Sequence, residues 1–205
     1  MSTSRTYRSE LREQQAERTR KLIADAARAR FVEKGWAGTS VRSVAEAAGV
    51  SEATVYHVYG SKAGLAGSLI DSAERSADVD RAVAELRDRA GDPAGQLRAF
   101  TDFDRRLFER GGDVLRILAE GRRQHPDLGA AYAGGRSRGD AERRKVFAAW
   151  PASAWRRGVD VDRAVAVYAM TVNLDSFDTA TRQFGWPPDD VEDWWVTTLV
   201  TLLLR

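Results

Sequence analysis

Apolar positions recur along this chain at three- and four-residue intervals, the period of helices that bury one face. Ile23, Ala27 and Phe31 stand at i, i+4 and i+8. They predict a first long helix from about Glu17 to Lys34, stopped by Gly35. Ser40 is placed to cap a short helix through Ala47, Ser51 another through about Val58, and Ser61 a third that carries Leu65, Leu69 and Ala73 on one face. Longer helices follow. Asp92-Pro93 is a cap with proline at the first helical position, opening a helix with Leu97, Phe100, Phe103, Leu107 and Phe108 on its buried side. Gly111-Gly112 is expected to break that helix, and Asp113 to cap the next, which bears Val114, Leu115, Ile117 and Leu118 and ends at His125-Pro126. The stretch from Pro126 to Trp155 is helical in tendency despite Gly134, Gly135, Gly139 and Pro151. Asp160 starts a helix expected to reach Gly185, and Pro187-Pro188 leads into a last one ending at Arg205. No alternating β-branched run bounded by turns suggests a strand. The expected fold class is all-α.

At 205 residues with 43% hydrophobic content, the chain can hold one large domain, or a small one joined to a larger. It has no cysteine, which removes disulfides and thiolate metal sites and suits a reducing compartment. The polar start MSTSRTYRSELREQQAERTRK lacks the apolar run of a signal peptide, and the most apolar stretch, Trp194 to Leu204, is broken by threonines. A cytoplasmic protein with no membrane partner is expected. Charge is uneven: residues 1–62 hold 11 Lys/Arg against 7 Asp/Glu, the rest 21 against 23. A basic minority of the chain suggests an anionic partner, although a solvated basic tail has the same composition.

Within that basic part lies AGVSEATVYHVYGSK, residues 48 to 62. A helix-turn-helix needs a small residue where its helices touch, a glycine in the turn four residues later, and apolar residues locking the pair. Ala45 and Gly49 fill the first two places, and Val44, Ala48, Val50, Val55 and Val58 the third. With Val55 inward, Ala53 and His57 point away from the core, flanked by Thr54 and Tyr56. Such groups on an outward face can reach phosphates and base edges in a major groove.

Residues 18–65, RTRKLIADAARARFVEKGWAGTSVRSVAEAAGVSEATVYHVYGSKAGL, resemble the N-terminal domain of the TetR family of bacterial transcriptional regulators. The shared pattern is Gly35-Trp36, Thr39-Ser40, the Ala-x-x-Ala-Gly-Val-Ser turn, Thr54-x-Tyr56, and Ser61-Lys62 before Leu65. The resemblance implies a three-helix helix-turn-helix DNA-binding domain at residues 1–62 with an N-terminal arm. It also implies a helical effector-binding and dimerisation domain at 63–205. Thr54 and Tyr56 are then expected at the DNA backbone or base edges, Lys62 at a phosphate, and Thr39 and Ser40 at phosphate where the second helix begins. Arg42 can reach a base or a phosphate. Glu52 can accept from cytosine N4, or simply favour a helix N-terminus by its charge, and Ser51 is a cap before it is a contact. The family usually has His or Tyr and then Phe where this chain has Val58 and Tyr59, so His57 or Tyr59 is left to replace the usual phosphate contact. Arg5, Arg8 and Arg12 on the arm are candidates for a minor groove.

In the second domain, Phe100, Phe103, Phe108, Leu115, Phe147 and Trp150 can wall an effector cavity or simply form core. A ladder of Tyr168, Thr171, Asp175, Asp178 and Arg182 offers polar lining, unless Asp178 and Arg182 merely pair along the surface. Small side chains at Val165, Ala169, Val172, Ser176 and Ala180, with Trp195, Leu199 and Leu203 on the last helix, suggest a four-helix dimer seam. Gly134, Gly135 and Gly139 suggest a loosely held segment that an effector can order. No Gly-rich phosphate loop, metal-spaced cluster or nucleophile–base pair argues for an enzyme, a metal or a cofactor. The expected function is a homodimeric DNA-binding regulator, a repressor released from a palindromic operator by a small-molecule effector. The alternative is a helical interaction protein that binds nucleic acid without sequence preference.

Overall fold

The computed structural model describes the backbone from residue 3, and side chains from residue 11, to residue 205. Its helices are α1 (Thr3–Gly38), α2 (Val41–Ala48), α3 (Glu52–Tyr59), α4 (Lys62–Ser76), α5 (Val79–Asp88), α6 (Pro93–Gly121), α7 (Pro126–Ala148), α8 (Val161–Thr171), α9 (Leu174–Asp178) and α10 (Pro188–Leu203). A 3-10 turn at Ala152–Ala154 and a π-turn at Thr179–Gln183 complete the set. Among the described residues there is no strand, only an isolated bridge between Trp155 and Leu204, and the fold is all-α.

The chain packs as two compact units: residues up to 72 with 117–131, and 73–116 with 132–205. Ile23, Ala27, Phe31, Val44, Val55, Leu65 and Leu69, the positions that the helical period marks as apolar, are buried in the first unit. Each of these side chains other than Ala27 contributes about 1.5–3 kcal/mol on leaving water. This unit is wider than residues 1–62 because it takes in the α6–α7 turn. Leu118 and Leu128 are buried there, and the Trp36 and His125 ring centroids lie 5.9 Å apart.

In the second unit Leu97, Phe100, Phe108, Phe147, Trp150, Tyr168, Phe177, Trp195, Leu199 and Leu203 are buried. Ion pairs join α6 to α10: Arg105 Nε donates to Glu192 at 2.6 Å, and Arg98 Nη1 to Asp193 at 2.9 Å. Burial raises the Glu192 pKa, against the pull of Arg105.

Several boundaries differ from the periodic reading. Helix α1 begins at Thr3, not near Glu17, because the Glu-, Gln- and Arg-rich start is a good helix former even without an apolar face. Gly35 does interrupt it, with φ 65° and ψ −177°. Gly111-Gly112 does not break α6. A Cβ at Gly111 would lie 2.5 Å from the Ala73 Cβ, so this glycine serves close packing. Helix α5 had no counterpart in the apolar pattern; Asp78, at φ 61°, caps it through the Arg81 N–H.

The expected helix from Asp160 to Gly185 is instead three pieces. Val172 turns extended, and Asn173 opens α9 through a reciprocal capping box with Ser176. That break rotates the later residues out of phase with the earlier ones, so faces read across it as continuous stripes do not exist as such.

Candidate nucleic-acid interface

Helices α2 and α3 form a helix-turn-helix built by local capping. Ser40 Oγ accepts from the Ser43 N–H at 3.0 Å, and Ser43 Oγ accepts from the Ser40 N–H at 3.1 Å. Gly49 closes α2 in the left-handed region (φ 68°), which a side chain there would strain, and its N–H reaches the Ala45 and Glu46 carbonyls. Ser51 caps α3 through the Thr54 N–H at 3.1 Å. Val44, Ala45 and Val55 are buried between the helices and the rest of the unit, and Val55 is 1% exposed. With Val55 fixed inward, Ala53, Tyr56 and His57 stand exposed on the opposite side of α3. Tyr56 keeps 49% of its surface in solvent, an outlay of apolar area that folding does not require.

The ten candidate DNA residues divide by what already holds them. Tyr56, His57, Arg42, Glu52, Ser51 and Ser40 are exposed, the two serines as helix caps. Arg42 pairs with Glu46 at 2.9 Å, and this bond, with the charge of nearby Glu52, raises its pKa. Thr54 is half-buried, its hydroxyl 2.8 Å from that of Ser51. Three others are turned inward. Thr39 is 2% exposed, with its hydroxyl 2.9 Å from the carbonyl oxygens of Arg30 and Gly35, where it closes the end of α1. Tyr59 donates its hydroxyl to the Arg20 carbonyl at 3.0 Å. Lys62 donates to the Trp36 carbonyl at 2.6 Å. Sequence distinguishes none of these because all three partners are backbone oxygens of α1. On the arm, Arg12 is exposed on α1, while the Arg5 and Arg8 side chains lie outside the described residues.

The candidate effector residues of the second unit pack on one another. Ring centroids of Phe100 and Phe147 are 6.0 Å apart, Phe147 and Trp150 4.5 Å, and Phe108 and Trp195 6.1 Å. Leu115 is buried with them and Phe103 is half-buried. The polar ladder disperses: Tyr168 is fully buried, Thr171 bonds the Val167 carbonyl at 2.9 Å, and Asp175 is exposed. Asp178 accepts from Nε and Nη2 of Arg116, each at 2.7 Å, so Arg182 is only a distant partner at 3.9 Å. Gly134, Gly135 and Gly139 lie within the continuous helix α7.

Sequence reading missed a buried cluster here. Asp104 Oδ2 accepts from Tyr168 at 2.8 Å and from Arg143 Nη2 at 2.6 Å, and the guanidinium lies 4.2 Å from the Tyr168 ring centroid. Burial pulls the Arg143 pKa down, but Asp104 overrides it and raises it; burial and then Asp104 push Tyr168 well up. Arg143 belongs to the run Arg143-Arg144-Lys145, which reads as a solvated face.

The dimer face needs correction. Val165, Val172, Trp195, Leu199 and Leu203 are buried in the chain's own core, and Ala169, Ser176 and Ala180 are half-buried. Exposed apolar side chains on these last elements are Met170 and Phe184, each 72% exposed, Leu202, and Trp186 and Trp194, whose ring centroids are 6.4 Å apart. Val165 and Met170 both precede the break at Val172-Asn173, so the packing of α8 itself turns Val165 inward and Met170 outward. Among the described residues no group of His, Cys, Asp and Glu is arranged to hold a metal, and no helix is long and apolar enough to cross a membrane.

An exposed second helix locked to a capped first helix by one buried valine defines a helix-turn-helix, the class of motif that reads DNA in other proteins. Residues 23–69 match the model of bacterial regulatory proteins of the tetR family. The HTH-type transcriptional regulator TtgR of Pseudomonas putida is 34% identical over 85 residues, 42% of this chain and 40% of that protein, so the chain aligns with well under half of its length. The fold is similar to that of NalD, the secondary repressor of the MexAB-OprM multidrug efflux pump in Pseudomonas aeruginosa (TM-score 0.69, 22% identity, 93% of this chain and 98% of that one). It is also similar to FadR of Bacillus subtilis in complex with stearoyl-CoA (TM-score 0.70, 15% identity, 88% and 97%). The similarity to the tetR family thus rests on the helix-turn-helix segment, residues 23–69. The proteins it matches are regulators, not enzymes.

Proposed function

We propose that this protein is a sequence-specific transcriptional regulator, a repressor that leaves a palindromic operator when a small-molecule effector binds, and that it works in the cytoplasm. The observation that carries this reading is the side of α3 opposite Val55, where Tyr56 and His57 are exposed without any need of the fold. Residues 1–62 carry the DNA contacts: Tyr56, His57, Arg42 and Thr54 reach phosphate or base, and Ser40, Ser51 and Glu52 border them. Between His57 and Tyr59, the Arg20 bond of Tyr59 favours His57 as the replacement phosphate contact. Residues 63–205 carry effector binding and dimerisation. The Phe100–Phe147–Trp150 and Phe108–Trp195 ring clusters line the effector site once a ligand parts them, with Phe103, Leu115, Tyr168, Thr171 and Asp175 around it. The dimer forms through the exposed face of Met170, Phe184, Trp186 and Trp194, since apolar patches of this kind mark association sites. The repressor role of NalD favours repression over activation.

The test is selection of bound fragments from the source genome, followed by competition with random duplex at fixed salt. A recovered palindrome bound about 10³-fold or more tightly than random DNA is expected. Equal affinity for both, varying only with salt, would instead identify a nonspecific nucleic-acid binder.

A further inference from the structure

Trp195 is fully buried, and its indole N–H has no acceptor among the described residues. Two arginines also keep one buried nitrogen without a partner, but each bonds through its others. Arg143 donates from both terminal nitrogens, to Asp104 and Asp140, and Arg106 from Nε to the Ala77 carbonyl and from Nη1 to Asp102. An indole has a single donor and accepts nothing, so Trp195 is the one of the three with its whole hydrogen-bonding capacity unused. Buried donors are almost always paired, because an unpaired one loses its water and gains nothing in return.

Trp195 stands in a triangle of rings. Its centroid is 6.1 Å from that of Phe108 on α6 and 6.0 Å from that of Phe177 on α9, and those two are 5.7 Å apart. The ionised side chains three or four residues along the helices from these rings are Asp104, Arg105 and Glu192. Arg105 donates to Glu192 at 2.6 Å, and Asp104 accepts from Arg143 and Tyr168. Each charge is thus compensated within the chain, with no cation left over to hold an anion and no carboxylate to hold a cation. What remains is a neutral donor among flat rings. Phe177 is the wall best able to yield. Its helix α9 is five residues long, set between extended Val172 and the π-turn at Thr179–Gln183, where the Phe184 N–H reaches the Thr179 carbonyl at 3.2 Å. Such π-turns are rare and concentrate at functional sites.

We propose that the Phe108–Phe177–Trp195 triangle binds an uncharged aromatic molecule that carries a carbonyl oxygen, and that this oxygen accepts the Trp195 N–H. This rests on the reading that residues 63–205 bind the effector, and it names the chemical class of that effector. The ligand's ring packs against Phe108 and Phe177 as aromatic groups pack on one another, and its oxygen supplies the acceptor that the chain does not. A charged head would have to leave water without a counter-charge to meet it.

The experiment is proton–nitrogen NMR of the full chain with acetophenone as the probe. The six tryptophans give six indole N–H resonances, and nuclear Overhauser contacts to the Phe108 and Phe177 rings single out Trp195. Acetophenone should move the Trp195 N–H downfield and saturably, as a new acceptor does. Benzoate, the same ring with a charge, should bind at least about tenfold more weakly. Replacing Trp195 by 3-benzothienylalanine keeps the shape and removes the N–H. That protein should bind acetophenone about fivefold more weakly, and ethylbenzene, which has no acceptor, within about twofold of the wild type. Should it fail to fold by circular dichroism, the wild-type resonance decides, moved downfield by acetophenone and not by ethylbenzene. A Trp195 N–H that acetophenone leaves in place, that ethylbenzene moves equally, or that benzoate moves at lower concentration overturns the proposal. The selected operator separates the proposal from the reading beneath it. Acetophenone that takes the Trp195 N–H without displacing operator keeps the site and removes its effector role. A compound that displaces operator with the Trp195 N–H unmoved keeps the effector reading and overturns this site.

Discussion

Replacing Asp104 by asparagine removes the charge that faces Arg143 while keeping nearly the same shape. Asp104 is 4% exposed, and its Oδ2 accepts both the Arg143 bond at 2.6 Å and the Tyr168 bond at 2.8 Å. The arginine side chain is 11% exposed, and its one other acidic partner, Asp140 at 3.1 Å, is 34% exposed and so screened by water. Breaking a buried pair on one side costs about 3–5 kcal/mol because a charge is left uncompensated. With Asp140 still in place the low end applies, about 3 kcal/mol. For a chain of this length each kcal/mol shifts the melting temperature by about 2–4 °C, so Asp104→Asn should melt roughly 6–12 °C lower. Calorimetry at one fixed protein concentration is the assay, since association shifts apparent stability. The double replacement Asp104→Leu with Arg143→Leu removes both charges and should melt above Asp104→Asn. A drop of less than about 2 °C for Asp104→Asn would mean that water or Asp140 already neutralises Arg143, and would refute the reasoning.

Tyr168 gives a pH dependence. Its raised pKa keeps the phenol neutral in the folded chain while an unfolded tyrosine ionises near 10, so its contribution is full below about pH 10 and is lost as pH rises beyond it. Denaturant titrations should show wild-type stability falling more steeply above about pH 10 than that of Tyr168→Phe, and parallel curves would show that the phenol is not protected. At the dimer face, Trp194→Glu should give monomer in sedimentation velocity, whereas an unchanged dimer would move the interface elsewhere. In DNA binding, His57→Ala should lower affinity for operator and random duplex alike, as the loss of a backbone contact does. Tyr59→Phe should leave both affinities unchanged, since that hydroxyl is committed to Arg20, and the reverse pattern would exchange their roles.

Much of the DNA-binding unit was legible because its signals are local. Ser40, Ser51, Gly49 and Gly60 each act within one turn of their own position, so caps and turn could be placed from spacing alone, and the burial of Val55 fixed which residues of α3 face outward. What spacing could not show is which outward-capable side chains are held by a distant backbone. Thr39, Tyr59 and Lys62 all bond carbonyl oxygens of α1, and a carbonyl carries no residue identity for a pattern to read.

The helical period by itself determined the all-α class and most of the apolar residues that became core, because burying one face of a helix is a one-dimensional property of the sequence. Tertiary structure decided three other things. It kept α6 whole through Gly111-Gly112, where the absent side chain of Gly111 lets Ala73 approach, and it assembled Asp104, Arg143 and Tyr168 from three helices into one buried cluster. It also chose which face of the last helices looks outward. Extended Val172 and the Asn173 cap reset the helical phase between α8 and α9, and packing against Phe108 of α6 buries Trp195 while Met170, Phe184 and Trp194 face solvent. A single interruption of the backbone redirects every side chain beyond it, and whether the backbone breaks is decided by packing between helices, which no periodicity along one of them encodes.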